Sequence, residues 1–369
     1  MTLKNKNVLI ISPEPWDHIF VSKHHYAIHL ARRGNKVYFL NPPSDILKIE
    51  STDTENLWVL SYKGFARGLR FFPRPIQRYF ARIVLKKLET LARSDFNVVW
   101  SFDNSVFFDF RIFPKKTLTI SHIVDVNQDF MTEVAAHTAS ICLCNTDLLL
   151  NRLSRYNGNV YKINHGYNEV KELPEIALPG DNEVKALYVG NLNISFIDWR
   201  ILHQIVEENR RVDFIFIGPG LETFVRGDDA QTIFKKRLAL LPNVFPVGKV
   251  SSETVPAYLK KGDVMLICYQ EQYHNGQAAS THKFMEYLGS GKVIVSSFTK
   301  EFEPHVDIVA MPIKNRLLPG VFRQVVKNLY YHNSDELRDK RKRLAAENSY
   351  EKQIERIERL IYDTREGKQ

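Results

Sequence analysis

Lys283 and Glu286 stand three residues apart in the run Ser280-Thr281-His282-Lys283-Phe284-Met285-Glu286-Tyr287-Leu288-Gly289-Ser290-Gly291-Lys292-Val293-Ile294-Val295. The run reads as a polar loop, an amphipathic turn of helix, a glycine break and an apolar strand. Spacing of three puts a cation and a carboxylate on one helical face. A helix opening on Ser280 and Thr281 offers unpaired N–H groups and the positive end of its dipole, where a phosphate can sit with Lys283 as counter-charge. Glu286, one turn deeper, could accept hydrogen bonds from two neighbouring ribose hydroxyls. Gly289 and Gly291 are expected to end the helix. Taken alone, the same two charges also read as an ordinary surface pair, which is the commoner use of this spacing.

A second candidate is Asp125, which follows the apolar run Leu118 to Val124. A carboxylate at the carboxyl rim of a strand could take a proton from an attacking hydroxyl, or simply cap a helix. The loop Pro13-Glu14-Pro15-Trp16-Asp17-His18 follows another strand-like run and leads to Lys23 and His24. It contains no G-x-G-x-x-G, so a dehydrogenase-type dinucleotide site has no support. Trp16, Asp17, Lys23 and His24 are candidates for touching a substrate, with a tryptophan lid and solvated charges as the alternative. His25 and His29 have a spacing that binds zinc when a third ligand converges, but no ligand set is recognisable. No metal is expected. Cys142, Cys144 and Cys268 are too few for a disulfide framework and read as small core residues. Cys142 and Cys144 are expected to alternate faces if their segment is a strand.

The elements that must position these residues belong to a chain of 369 residues, 44% hydrophobic and 25% charged, which suits two globular domains. No apolar run approaches the roughly 18 residues that cross a bilayer, and a cytoplasmic protein is expected. The net charge of +9 is concentrated: between Tyr62 and Arg93 nine bases face one acid, Glu89. There the stretch Gly64 to Pro75 leads into an expected helix from Ile76 to Ala92 with Arg78, Arg82 and Lys86 four apart. Such a face, with Phe71 and Phe72 beside it, could lie on an anionic membrane leaflet or grip a lipid diphosphate. A merely solvated helix is the alternative; no nucleic-acid module is visible, and no nucleic-acid partner is expected.

Asn7 to Ser12, Lys36 to Leu40, Asn97 to Ser101, Leu118 to Val124, Ser140 to Asn145 and Val160 to Ile163 read as strands, with helices at Ser22 to Arg33 and Thr146 to Tyr156. Lys171 to Glu183, rich in proline and acids, reads as a linker. A new strand-helix series begins at Lys185 to Gly190 and continues through Asp198-Trp199, Val212 to Gly220, Asn243 to Gly248 and Asp263 to Ile267. Arg338 to Arg343, with alternating charges, is expected to form a solvated face. The expected organisation is an α/β chain with a domain over 1–170, a linker over 171–183, a second domain over 184–345 and a closing helix within 346–369 packing back on the first.

This succession resembles glycosyltransferases of the GT-B fold, in particular family-4-like and teichuronic-acid-type members. Their donor signature reads roughly S-P-x-K-x-x-E-Y-L-x-x-G-x-P-V-V; here it stands as S-T-H-K-F-M-E-Y-L-G-S-G-K-V-I-V, with Thr281 and Val293 replacing both prolines. The resemblance implies two doubly wound Rossmann-like domains facing across a cleft. It gives Glu286 the ribose, Lys283 the diphosphate, the Gly190 backbone the donor phosphates and the Val247 region the nucleobase. Tyr273, His274 and Asn275 would lie in a loop over the donor sugar. Trp16, Asp17, Lys23, His24 and His165, the last in the turn Asn164-His165-Gly166-Tyr167-Asn168 where Gly166 is expected at positive φ, would face the acceptor and cleft. Asp125 resembles the base of inverting members, although the second acid of their V-D-D segment has become Val126. Another acid common eight positions before the ribose glutamate is Ala278 here, which removes one donor-sugar contact.

The implied activity is a hexosyltransferase-type transfer from a nucleoside-diphosphate sugar to a hydroxyl of a surface-glycan or lipid-linked acceptor. It needs no metal and no cofactor beyond the nucleotide sugar as co-substrate, and it takes place at the inner face of a membrane. A nucleotide-sugar epimerase of the same fold, or a catalytically silent sugar-nucleotide-binding partner, are the alternatives.

Overall fold

The computed structural model describes residues 2–18, 20–65, 68–125, 130–221, 229–273 and 282–366. Contacts divide the chain into Met1–Asn164 with Tyr350–Gln369, and His165–Ser349. The first unit holds β1 (Asn7–Ile11), β2 (Lys36–Leu40), β3 (Lys48–Ser51), β4 (Leu57–Ser61), β5 (Val98–Ser101), β6 (Leu118–Ile123), β7 (Ile141–Cys144) and β8 (Val160–Lys162). They form one sheet in the order β3-β4-β2-β1-β5-β6-β7-β8, in which only β3 runs antiparallel to its neighbour. The order reverses at β1, so the carboxyl ends of β1 and β5 are where such a sheet accepts a ligand.

Alternation along these strands makes two cores. Leu9, Ile11, Val99 and Leu40 pack on one face. Val8, Ile10, Phe39 and Trp100 pack on the other. The crossover helices are α1 (Ser22–Arg32), α2 (Arg74–Ala92), α3 (Thr132–Thr138) and α4 (Asp147–Leu153). α2 turns Leu85, Leu88 and Ala92 into the first core. Pro75 sits in its first turn, where the missing N–H costs nothing. Cys142 and Cys144 both lie in that same core, with Leu143 in the other. This corrects the expected alternation: residues two apart on a strand share a face.

The second unit holds β9 (Val184–Val189), β10 (Val212–Ile217), β11 (Val244–Gly248), β12 (Val264–Ile267), β13 (Val293–Ser296) and β14 (Val309–Ala310). All are parallel, in the order β11-β10-β9-β12-β13-β14, so the order reverses between β9 and β12. The helices are α5 (Trp199–Glu208), α6 (Ala230–Ala239), α7 (Val255–Lys261), α8 (Lys283–Ser290), α9 (Leu318–Lys327), α10 (Leu329–His332) and α11 (Asp335–Glu347). Asp339, Lys342 and Arg343 of α11 are exposed, as its charges suggest, but Arg341 departs from the solvated face expected over Arg338 to Arg343. Arg341 is 1% exposed and donates to the carbonyls of Ile308, Gly291 and His332, satisfying orphan oxygens where α8 and α10 end.

The last helix, α12 (Tyr350–Glu366), buries Tyr350, Ile354, Ile357 and Ile361 in the second core of the first unit, beside Tyr26 and Leu30 of α1. His25 and His29 stack on the Tyr350 ring at 5.0 and 5.5 Å. That packing is what their spacing does here. Among the described residues no three His, Cys, Asp or Glu side chains are grouped so as to hold a metal.

Candidate functional site

α8 docks on the carboxyl edge of the second sheet because Tyr287 projects there. Its hydroxyl accepts the N–H of Val189, the last residue of β9, at 2.8 Å. One turn earlier on the same face is Lys283, only 7% exposed. Its ammonium donates to the hydroxyls of Tyr269, just past β12, at 2.7 Å and of Tyr188, near the end of β9, at 3.0 Å. It also lies 4.4 Å from the centre of the Tyr188 ring. The lysine therefore sits where the strand order reverses. Among the described residues its hydrogen-bond partners are phenols, not carboxylates, and burial keeps the Tyr188 and Tyr287 hydroxyls well above their usual pKa. A cation so placed is only partly compensated, and an incoming anion would complete it.

Gly190 lies directly against this ammonium. Its φ of 137° suits only glycine, and a Cβ there would overlap Nζ and Cε of Lys283. The Gly190 N–H donates to the Ile217 carbonyl at 2.8 Å. Gly218, with φ of 134°, brings its Cα so close to the Gly190 carbonyl that no side chain would fit. The ends of β9 and β10 thus form a bare backbone shelf. Gly218 in turn donates to the Gly248 carbonyl, so Val247, half-buried near the end of β11, stands one strand beyond.

Glu286 is half-buried on α8, and its carboxylate makes no hydrogen bond among the described residues. Burial pushes its carboxyl up to about 7, against the pull of Lys283. Its charge also acts on Tyr167, and the ring of His165 lies 6.3 Å from that of His282, which precedes α8. His165 is thus brought to the start of the same helix. Gly166 beside it does not have the positive φ expected. Gly289 lies inside α8, under the Tyr167 ring, and Gly291 alone caps it. Tyr273 reaches the cluster through Phe196, which lies 6.0 Å from its ring and 5.0 Å from that of Tyr269. His274, Asn275, Ala278, Ser280 and Thr281 lie outside the described residues.

In the first unit, Lys23 of α1 is 4% exposed and pairs with Glu14 of the loop after β1. Burial lowers its pKa, while Glu14, Asp103 after β5 and Asp125 after β6 raise it. These groups share the edge where the first sheet reverses order. Asp125 itself is exposed. His24 is wholly buried and does not face outward: Nδ1 accepts the Val21 N–H at 3.2 Å and Nε2 lies 3.0 Å from the Pro15 carbonyl. Burial holds its pKa down, so a neutral ring braces the loop. Trp16 is half-buried against Phe39 and Phe20, each at 5.0 Å, while Asp17 stays exposed. Sequence reasoning missed Tyr188, Tyr269, Glu14 and Asp103. All four follow or end apolar strands at a carboxyl rim, which is the signal that could have found them.

No protein-family model and no curated relative matches the sequence. Solved structures do match. Sucrose-phosphate synthase from Thermosynechococcus elongatus aligns with a TM-score of 0.68 over 97% of this chain and 98% of that one, at 12% identity. The chain has the GT-B fold. The E. coli trehalose-6-phosphate structure bound with UDP-2-fluoro glucose gives 0.62 over 96% and 99%, at 11% identity. Anabaena HepE in complex with UDP and glucose gives 0.64 over 95% and 98%, at 10% identity. In this GT-B chain, α8 and the β9–β12 edge supply the cluster around Lys283.

Proposed function

We propose that this protein is a glycosyltransferase that moves a sugar from a nucleoside-diphosphate sugar to a hydroxyl of a lipid-linked or surface-glycan acceptor. The observation that carries the reading is the buried Lys283 ammonium, held by phenols beside the bare backbone of Gly190. A diphosphate laid on that shelf meets a fixed cation and the N–H groups opening α8, which together neutralise the charge that develops as the glycosidic bond to phosphate breaks. This arrangement needs no metal. Glu286 takes the ribose hydroxyls, Val247 borders the base, and Tyr273, His274 and Asn275 belong to the sugar side. Two structural neighbours were solved with UDP or a UDP-sugar analogue, which makes UDP the first nucleotide to test.

On the acceptor side Asp125 is the base, removing the hydroxyl proton as oxygen attacks the anomeric carbon and inverting it. Asp17, Trp16 and His165 contact the acceptor; Lys23 and His24 act by holding the loop after β1. The basic aromatic segment over 62–93 brings the protein to an anionic membrane surface, on which it lies without spanning; no described helix is long and apolar enough to cross one.

The test is a thermal-shift panel of UDP, GDP and dTDP with their sugars, followed by transfer assays in EDTA. One diphosphate should raise the melting temperature, since a ligand of the native state alone stabilises it. Lys283→Met should abolish that rise. A panel with no shift, or a shift that Lys283→Met leaves intact, overturns the reading. An isomerised sugar formed from donor alone would instead identify an epimerase.

A further inference from the structure

Beneath α2 lies a cavity of about 420 Å3 that the donor site does not use. That is within the size range of small-molecule pockets, about 300–1,000 Å3. Its walls are mostly apolar, with Leu69, Phe71, Phe107, Phe108, Ile112 and Phe130 among them. From α2 itself come Gln77, Arg78 and Ala81, which share one face of the helix. The opposite face is also apolar and has no core to cover: Phe72, Ile76, Tyr79, Phe80 and Ile83 are all exposed. Helical spacing places the four on α2, Ile76, Tyr79, Phe80 and Ile83, on one stripe flanked on one side by Arg78, Arg82 and Lys86, with Phe72 just before the helix. An exposed apolar stripe with a basic flank is the pattern of a helix lying in a membrane interface.

Arginines gather around Arg78 and Asp109, the charged pair in the cavity wall. Arg111 grips Asp109 with two bonds of 2.7 Å, and Arg78 approaches the same carboxylate at 3.4 Å. Arg74 lies over the Phe108 ring at 5.3 Å, and Arg82 donates to the Arg111 carbonyl at 3.2 Å. Two guanidiniums thus share one carboxylate, and with Arg74 and Arg82 close by, positive charge is in surplus beside an apolar hole. Complementarity asks for a molecule with a hydrocarbon chain and an anionic head.

Topology says which such molecule. The walls come from the segments that follow β4, β5 and β6, at the carboxyl edge of the first sheet. Phe130 stands five residues after Asp125 in the segment leaving β6. The cavity is therefore built at the same sheet edge that carries the proposed base. We propose that this cavity receives the hydrocarbon chain of the acceptor's lipid carrier and that the arginines around Arg78 and Asp109 bind its phosphate. The inference rests on the glycosyltransferase reading for the word acceptor, although the cavity itself belongs wholly to the first unit.

The test is calorimetric titration of the full chain with dodecyl phosphate, below its micelle-forming concentration, and with butyl phosphate. The wild-type protein should bind one dodecyl phosphate saturably and butyl phosphate at least about tenfold more weakly, because only the longer chain fills the apolar walls. Ala81→Trp fills the cavity from α2, and Ser105→Trp fills it from the loop after β5. Either variant should weaken dodecyl phosphate about tenfold or more while keeping the wild-type thermal shift with UDP. If one variant does not fold, the other decides; the chain-length comparison needs no variant. Equal binding of both phosphates, or dodecyl phosphate binding unchanged in the folded Trp variants, overturns the proposal. A protein that binds UDP but no dodecyl phosphate sinks this inference alone. One that binds dodecyl phosphate in the cavity but no nucleotide sinks the transferase reading and leaves the chain site standing.

Discussion

Glu286 should make the proposed donor site sensitive to pH in a definite direction. Its carboxyl titrates near 7 in the folded chain against an ordinary value of 4.5. The folded state therefore holds the proton more tightly than the unfolded one, and its stability falls as pH rises from about 4.5 to about 7, then levels. Glu286→Gln should remove that slope in denaturant titrations run at successive pH values. Ribose hydroxyls bind best to the ionised carboxylate, so nucleotide affinity in the wild type should rise with pH through 7. Glu286→Ala should lower affinity by about ten- to a hundredfold at pH 8, the worth of hydrogen bonds to a charged group. An affinity insensitive to both changes would remove the residue from the site. At Gly190, substitution by alanine combines an unfavourable φ with overlap on Lys283. The strain alone is about 1–3 kcal/mol, and a melting temperature lowered by several degrees together with lost nucleotide binding is expected. Asp125→Asn should leave nucleotide affinity intact and slow transfer by about 10²–10⁴-fold, the usual share of a general base. Near-normal turnover would exclude it.

At the scale of elements, α12 carries a prediction of its own. Ile357 is fully buried between the first sheet and α1. Ile357→Ala should cost about 2–5 kcal/mol, read by denaturation, while the UDP response of the second unit persists. The parallel strands were legible in the sequence because a strand buried on both faces is an unbroken apolar run. Val37 to Leu40 of β2 and Phe214 to Ile217 of β10 are of that kind. β3 and β4 were not expected: β3 is an exposed four-residue edge whose Lys48 and Glu50 carry no apolar pattern. α8 was legible as a helix bearing Lys283 and Glu286, yet its true anchors were not. Tyr188 and Tyr269 are distant in sequence and meet only because β9 and β12 are neighbours. His24 misled for the same reason. A histidine near a loop looks like a ligand-binding group until the backbone partners of both nitrogens are known.

For the whole molecule, the decisive feature is that the first unit is made of two separated pieces of chain, Met1–Asn164 and Tyr350–Gln369, around a second that is continuous. Removing everything after Ser349 should strip Tyr350, Ile354, Ile357 and Ile361 from one core of the first unit. Calorimetry of that truncated chain should show the first unit melting early or absent and the second still stabilised by UDP; an unchanged profile would deny α12 its part. The order in which a ribosome delivers these pieces follows directly. β1 emerges early, but one face of its sheet, covered by α1, lacks α12 until the intervening unit has been synthesised, a delay of roughly nine seconds or more at about 5–20 residues per second. The second unit can be complete before the first is, and the nascent first unit must be shielded meanwhile from sticking to other chains.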